Sequence, residues 1–160
     1  MNMQYELTTP CTAQDLAPLQ AGDTVLLSGV VYTARDQAHK RMLEALDRGE
    51  PLPFDLEGSA IYYVGPTPER PGAVIGSAGP TTSGRMDAMS PRLLDLGNKV
   101  MIGKGKRDAA VKEAVARNGA VYLAALGGAG ALMAKSRRSS VCSSKLPPND
   151  LHPPAECGIL

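Results

Sequence analysis

The sequence is poor in aromatic residues and has no excess of charge of either sign. It contains no tryptophan and one phenylalanine, and aromatic residues make up 4% of its 160 residues. Few rings are therefore available for stacking on bases, and a formal net charge of +1 provides no basic surface for phosphates. We expect the chain to bind neither nucleic acid nor a membrane surface.

Long hydrophobic runs are also missing. No apolar stretch approaches the roughly 20 residues that cross a membrane, and the N-terminal sequence MNMQYELTTP lacks the basic and then apolar segments of a secretory signal. The hydrophobic fraction of 43% and the charged fraction of 21% are ordinary for a globular domain. The sequence therefore predicts a cytoplasmic protein with one organised domain.

Cysteine and histidine are too few and too scattered for a metal centre. Cys11, Cys142 and Cys157 are an odd number at wide spacing, whereas a disulfide framework usually has an even number and a zinc site usually has a CxxC-like pair. We interpret the three as free thiols. His39 falls in a predicted helix and His152 in the tail, so a structural role is favoured over metal binding. We expect no metal site in this chain.

Short strands alternate with amphipathic helices between residues 12 and 125, a pattern typical of an α/β sheet. The predicted strands cover 24–32, 60–64, 73–75, 99–102 and 120–125. The first of them is interrupted at Gly29. The predicted helices run from Thr12 to before Gly22, from Asp36 to Gly49, from Ser90 to Gly97 and from Arg107 to Asn118. Thr12 resembles a capping residue, and Ser90 followed by Pro91 is a strong helix start with serine as the cap.

The composition changes at the end of the chain. Residues 136–160 contain five serines and four prolines. Serine favours turns, and proline has no backbone N–H to donate to a helix or sheet. We therefore predict an organised domain over 1–136, followed by an irregular Pro/Ser-rich tail over 137–160.

Polar and cationic residues cluster in three segments that follow predicted strands, where α/β proteins place their sites. The segments are YTARDQAHKR after the first long strand, GSAGPTTSGRMD over 76–87, and IGKGKRD over 102–108. Their candidate site residues are Arg35, Asp36, Thr81, Thr82, Arg85 and Lys104.

The residue types in these segments suit an anionic ligand. Glycines let the backbone approach a ligand closely, hydroxyls and cations bind oxyanions, and the arginine fork matches a carboxylate. Two arginines and a lysine that converge would suit a small dicarboxylate. Other interpretations stay open at this point. The arginines are also explained as solvated surface residues, GKGKRD lacks the spacing of a phosphate loop, and the glycines at 127–130 serve either tight packing or a substrate loop.

Three stretches together carry a resemblance to a known family. LLSGVVYTARDQAHKR, GPTTSGRMD and VMIGKGKRDAAVKEAVARNGAVYLAALGGAGALMAK resemble the beta subunit, or C-terminal domain, of class I iron–sulfur fumarate hydratases and L-tartrate dehydratases. The similarity runs from about Gly22 to about Ser136, and GPTTSGRMD is its most specific motif. The resemblance implies a swivelling β/β/α domain of three layers. It also implies a hydro-lyase that dehydrates malate to fumarate or tartrate to oxaloacetate, with a mesaconate-type substrate as an alternative.

The resemblance also implies roles for matched residues. Arg35 and Arg85 match arginines that clamp substrate carboxylates, and Thr81 matches a threonine that transfers a proton at the carbon next to a carboxylate. Lys104 matches the lysine that completes the anion site. The supporting residues are Asp36, expected to orient Arg35, and Thr82.

In this family, as the resemblance implies, a cluster-bearing alpha subunit holds a [4Fe–4S] cluster through three cysteines, with one iron left open as a Lewis acid. This chain would then be the smaller partner in a hetero-oligomer, without cluster ligands of its own. Its tail does not resemble the family's usual continuation, so the sequence also predicts either a divergent or a truncated C-terminus. The alternative function is therefore a non-catalytic module that binds an anion or a partner.

Overall fold

The protein is described here from a computed structural model. The structure describes residues 3–65, 67, 71–72, 76–77 and 79–125, and the backbone of 137–140 and 152–157. The predicted strand at 73–75 and the glycine-rich turn at 127–130 lie outside these residues.

Eight strands, four helices and a 3₁₀ turn are present in this part of the chain. The strands are β1 (Gln4–Thr8), β2 (Thr24–Ser28), β3 (Val30–Thr33), β4 (Ala60–Tyr62), β5 (Val100–Gly103), β6 (Val121–Ala124), β7 (Arg137–Ser140) and β8 (His152–Cys157). The helices are α1 (Ala13–Leu16), α2 (Asp36–Asp47), α3 (Ser90–Asp95) and α4 (Ala109–Asn118), and the 3₁₀ turn covers Ser83–Met86.

A six-stranded sheet forms the centre of the fold, with the order β6-β5-β4-β3-β8-β7. Strands β3 to β6 run parallel, whereas β8 pairs antiparallel with both β3 and β7. The central strand β4 is fully buried along its length, as expected for a parallel strand that is covered on both faces. The α/β class predicted from the sequence is confirmed.

A second, two-stranded sheet is formed by parallel pairing of β1 with β2. The chain leaves this sheet after Ser28 and enters the large sheet at Val30, so the single strand predicted over 24–32 is two strands in two sheets. The predicted interruption at Gly29 is the point of transfer. Gly29 has φ 100°, and a β-carbon there would clash with Thr9. Glycine is therefore required both by the left-handed backbone conformation and by the lack of space for a side chain.

Two hydrophobic clusters lie on opposite faces of the large sheet. One joins it to the two-stranded sheet and includes Leu27, Val31 and Ile102. The other joins it to the helices and includes Met42 of α2 and Leu93 of α3. The site loops are therefore supported by packing on both faces of the sheet from which they extend.

The predicted helices are all present, with one cap assigned wrongly. Thr12 and Asp15 form a reciprocal capping box at α1, and Asp108 caps α4 through a 2.9 Å bond from the amide of Val111. Ser90, predicted as an N-cap, is instead the first residue of α3 and makes no capping bond. Its hydroxyl donates to the carbonyl of Met86 at 2.9 Å, because a buried hydroxyl needs a partner inside the protein.

The tail differs from its prediction in part. The expectation of no regular structure after 136 is wrong for β7 and β8, which pair with each other and extend the sheet beyond β3. The domain boundary at 136 itself stays a prediction. Among the described residues, none of the helices combines the length and hydropathy needed to cross a membrane.

Candidate functional site

The candidate residues gather at one edge of the large sheet. Because β3, β4 and β5 are parallel, their carboxyl ends meet at the same edge, which is where open α/β sheets bind ligands. Arg35 follows β3 and Lys104 follows β5. The segment 76–87 joins both, through the Asp36–Arg85 ion pair and the bridge between Thr82 and Lys104. The three segments therefore converge in space.

Arg35 occupies the N-cap position of α2, with its backbone extended and its side chain exposed. Its carbonyl accepts a 2.9 Å bond from the amide of His39, which fixes the start of the helix. The guanidinium lies against Gly65 at the end of β4. Arg35 is thereby held across the ends of two neighbouring strands.

Asp36 forms an ion pair with Arg85, with Nη2 of the arginine 2.5 Å from Oδ2 of the aspartate. The two side chains are 55% and 28% exposed, so the guanidinium remains open to solvent. The sequence predicted that Asp36 orients Arg35, and the structure places its carboxylate on Arg85 instead. The pair links the N-terminus of α2 to the 3₁₀ turn, which brings both predicted arginines to the same edge.

Thr81 and Thr82 extend the sheet beyond the ends of β4 and β5. The amide of Thr81 donates to the carbonyl of Tyr63 at 2.8 Å, and Thr82 forms an isolated parallel bridge with Lys104. The amide of Ser83 then donates to the Lys104 carbonyl at 2.9 Å. The loop that carries both threonines is therefore fixed by backbone bonds to the end of β5, and Lys104 lies directly beside it.

Arg107 is buried beneath the exposed candidate residues and stabilises the loops that carry them. Nε of Arg107 lies 2.6 Å from Oδ1 of Asp87, and these side chains are 3% and 13% exposed. The same guanidinium donates to the hydroxyls of Ser90 at 2.9 Å and Tyr63 at 3.3 Å. The amide of Asp108 donates to the second oxygen of Asp87 at 2.9 Å. This network ties the GPTTSGRMD loop to the IGKGKRD loop.

Two tyrosine rings enclose this guanidinium. Cζ of Arg107 lies 5.1 Å from the ring centroid of Tyr63 and 5.2 Å from that of Tyr122, distances typical of cation–π contacts. The Tyr122 hydroxyl donates to the Gly105 carbonyl at 3.0 Å and also lies 2.9 Å from Oγ of Ser83. The two site loops are thus joined a second time, through Tyr122.

His39 is buried beneath the start of α2. Its pKa is lowered to about 4, mainly by burial and to a smaller extent by the nearby Arg107, whereas the bond to the Arg35 carbonyl and the charge of Asp36 act in the opposite direction. The ring is therefore neutral at pH 7, and its Nδ1 lies 3.0 Å from the Arg35 carbonyl. A neutral imidazole with its proton on Nδ1 donates to that oxygen. His39 thus stabilises the start of α2 through its bond to the Arg35 carbonyl.

Sequence reasoning missed the supporting layer, although a signal was present. Asp87 closes the GRMD end of one motif and Arg107 closes the GKGKR end of the other, so each motif ends in a residue of opposite charge. Arg107 was interpreted only as a helix start. Because burial of an arginine depends on packing of distant segments, its role is not visible from local spacing.

The described side chains do not form a metal centre. In the part of the chain that the structure describes with side chains, no three His, Cys, Asp or Glu residues converge as metal ligands would. Cys11 is buried there, and burial, with a smaller effect of Asp15, raises the pKa of its thiol. Its Sγ lies 3.5 Å from the Thr8 carbonyl. Cys142 lies outside the described residues, and only the backbone of Cys157 is described.

An open cavity of about 780 Å³ lies away from this edge, between β2 and β6. Its lining is largely apolar and includes Val25, Leu27, Val121 and Leu123, and it contains none of the candidate residues. An apolar lining does not compensate the charge of a carboxylate. The carboxyl edge of the sheet, with three cations and one carboxylate, is the better site for a small anion.

Comparison with known proteins identifies the family. The family described as Fumarase C-terminus matches residues 1–143. The chain is 38% identical over 139 residues to fumarate hydratase 2 of Leishmania major, a match that covers 84% of this chain and 24% of the relative. It is 42% identical over 128 residues to a putative L(+)-tartrate dehydratase subunit beta of Methanocaldococcus jannaschii, covering 78% of this chain and 66% of the relative.

A third relative is the L(+)-tartrate dehydratase subunit beta of Escherichia coli, 41% identical over 106 residues, with 64% of this chain and 51% of the relative covered. The chain thus spans between a quarter and two thirds of the length of these relatives. The resemblance inferred from the three motifs is confirmed, and the chain belongs to the Fumarase C-terminus family.

Proposed function

We propose that the chain is the beta subunit, or the equivalent part, of a hydro-lyase that reversibly dehydrates a small 2-hydroxy dicarboxylate. Malate to fumarate and tartrate to oxaloacetate are the candidate reactions, since fumarate hydratases and tartrate dehydratase beta subunits are both among its relatives. The observation that carries the proposal is the gathering of Arg35, Arg85 and Lys104 beside Thr81 at one edge of the sheet.

The three cations would bind the two carboxylates of the substrate. Arg35 lies at the N-terminal end of α2 and Arg85 in the 3₁₀ turn, and each would bind one carboxylate through its planar fork. Lys104 adds a third positive charge next to the threonine loop. Asp36 fixes the orientation of Arg85 before the substrate arrives.

Thr81 would move the proton in the dehydration. Loss of water from a 2-hydroxy dicarboxylate removes a proton from the carbon next to one carboxylate and a hydroxide from the neighbouring carbon. The backbone of Thr81 is fixed by its bond to Tyr63, which holds the residue in place for such a transfer. A threonine hydroxyl is a poor base in water, so nearby cations and the partner subunit would have to activate it.

A Lewis acid would ease the departure of hydroxide, and a [4Fe–4S] cluster on an alpha subunit would supply that chemistry. The side chains described in this chain do not fit as ligands of such a cluster, because the one thiol among them, Cys11, is buried and bonded to Thr8. The cluster would therefore be held by the partner subunit. We propose that this chain and the alpha subunit form a hetero-oligomer in the cytoplasm.

We also propose that the fold is the swivelling β/β/α domain of three layers. The support is the pair of hydrophobic clusters that join the large sheet to the small sheet on one face and to the helices on the other. A domain that swivels would bring the carboxyl edge, with its arginines, over a substrate bound on the partner.

The test is anaerobic co-production with a cluster-bearing alpha subunit, followed by dehydratase assays with malate, tartrate and citramalate as substrates. We expect turnover of at least one substrate by the complex and none by either chain alone. A stable complex with an intact cluster that turns over none of them would favour the non-catalytic module instead.

A further inference from the structure

Gly65 lies where any larger residue would displace the guanidinium of Arg35. A β-carbon built on Gly65 would stand 2.5 Å from Cζ, 2.6 Å from Nε and 2.9 Å from Nη1 of Arg35. All three atoms belong to the planar head of the arginine rather than to its stem. Non-bonded carbon contacts are ordinarily about 3.5–4.0 Å, so the head would have to move.

The requirement for glycine here is one of space rather than of backbone conformation. Gly65 is absent from the described glycines with positive φ, a group that includes Gly29 and Gly49. Alanine therefore fits the backbone at position 65 without the strain of a left-handed conformation. The three atoms nearest to an added methyl group all belong to the Arg35 side chain.

We propose that Gly65 is a positioning residue that acts through Arg35. Because glycine has no side chain, the Arg35 guanidinium can lie against the backbone of Gly65 after β4. This contact determines where the first substrate carboxylate binds. The inference rests on the function proposed above. It adds a residue that touches no substrate and that determines the geometry of the clamp from the neighbouring strand.

The test is Gly65→Ala in the complex with the alpha subunit. We expect catalytic efficiency to fall roughly 100-fold, because a displacement of about 1 Å at a substrate-binding group costs on that order. The thermal midpoint of the chain should stay unchanged, because the methyl group disturbs an exposed side chain. In an Arg35→Ala background, the same substitution should have no further effect, because the group through which Gly65 acts is gone.

Gly49→Ala, just after the C-terminal end of α2 and outside the site segments, is the control. A β-carbon at Gly49 meets no atom within 4 Å, although its φ of 69° is unfavourable for alanine. We expect this variant to lower stability slightly and to leave activity unchanged. In an Arg35→Lys background, Gly65→Ala should reduce catalytic efficiency less than it does in the wild type. The lysine ammonium is smaller than a guanidinium and fits beside the added methyl group.

The outcomes separate the two proposals. If Arg35→Ala leaves efficiency unchanged, the clamp itself is misassigned. If Arg35→Ala reduces efficiency and Gly65→Ala does not, or if Gly65→Ala costs the same without Arg35, the inference about Gly65 is wrong. A crystal structure of the Gly65→Ala chain provides a readout that needs no activity, since an unmoved Arg35 guanidinium would overturn the inference by itself.

Discussion

Removal of the Asp87 carboxylate should be among the most destabilising single changes at the site. In Asp87→Ala, the guanidinium of Arg107 stays buried with its counter-charge gone, because the two side chains are 3% and 13% exposed. Breaking a buried ion pair from one side costs roughly 3–5 kcal/mol. For a chain of this size, about 2–4 °C of thermal midpoint corresponds to each kcal/mol, so we expect a fall of roughly 6–20 °C.

The assay is thermal unfolding followed by circular dichroism, with Asp47→Ala as the matched control. Asp47 also pairs with an arginine, Arg92, but both side chains are exposed, and exposed pairs contribute roughly 0–1 kcal/mol. Asp87→Asn should recover part of the loss, since it keeps an acceptor for the amide of Asp108. The cost of Asp87→Ala should shrink in an Arg107→Ala background. Equal midpoints for Asp87→Ala and Asp47→Ala would refute the reasoning.

Three further predictions concern the site and its support. Arg85→Ala in the active complex should lower catalytic efficiency by roughly 30-fold to several thousand-fold, because closure onto the alpha subunit would bury the substrate carboxylate, and a buried charge left unpaired typically costs about 2–5 kcal/mol. Arg85→Lys should restore only part of it, and Lys112→Ala, on the exposed face of α4, should do little. Thr81→Val should depress kcat with little change in KM, as measured by steady-state kinetics. His39 has its folded-state pKa lowered to about 4, so the unfolded chain binds more protons between pH 6.5 and 4, and stability should fall by about 3 kcal/mol as pH drops through that window. Midpoints of His39→Gln should show a weaker pH dependence there; an identical dependence would contradict this assignment.

Much of the fold follows from local patterns. The capping box at Thr12, the strand interruption at Gly29 and the amphipathic run after Asp36 each depend on residues within a few positions, and each is present in the structure. The small sheet was not predicted, because β1 depends on pairing with β2 about 20 residues away. Strand β8 was missed for the same reason, since its prolines argue against a strand locally and its pairing with β3 is remote.

The sequence predicts the exposed residues of the candidate site, whereas the buried pair of Arg107 and Asp87 was not predicted. Arg35 and Lys104 follow strands β3 and β5, and Arg85 lies in a glycine-containing loop, which are features that local sequence reveals. The partner of Asp36 depends instead on how α2 packs against the 3₁₀ turn, and the sequence assigned it to the nearest arginine along the chain. The actual pair with Arg85 joins residues 49 positions apart, which no local spacing encodes.

The difference in burial between the ion pairs explains how the arginines can serve different purposes. Arg107 is buried between two tyrosine rings and donates to a buried hydroxyl, so its guanidinium is not accessible to a ligand. The Asp36–Arg85 pair is largely open to water, and an exposed pair contributes little stability. In the proposed function, a substrate carboxylate would therefore bind the Arg85 guanidinium at small cost in stability. The buried pair fixes the loops, and the exposed pair would leave Arg85 oriented for the proposed substrate.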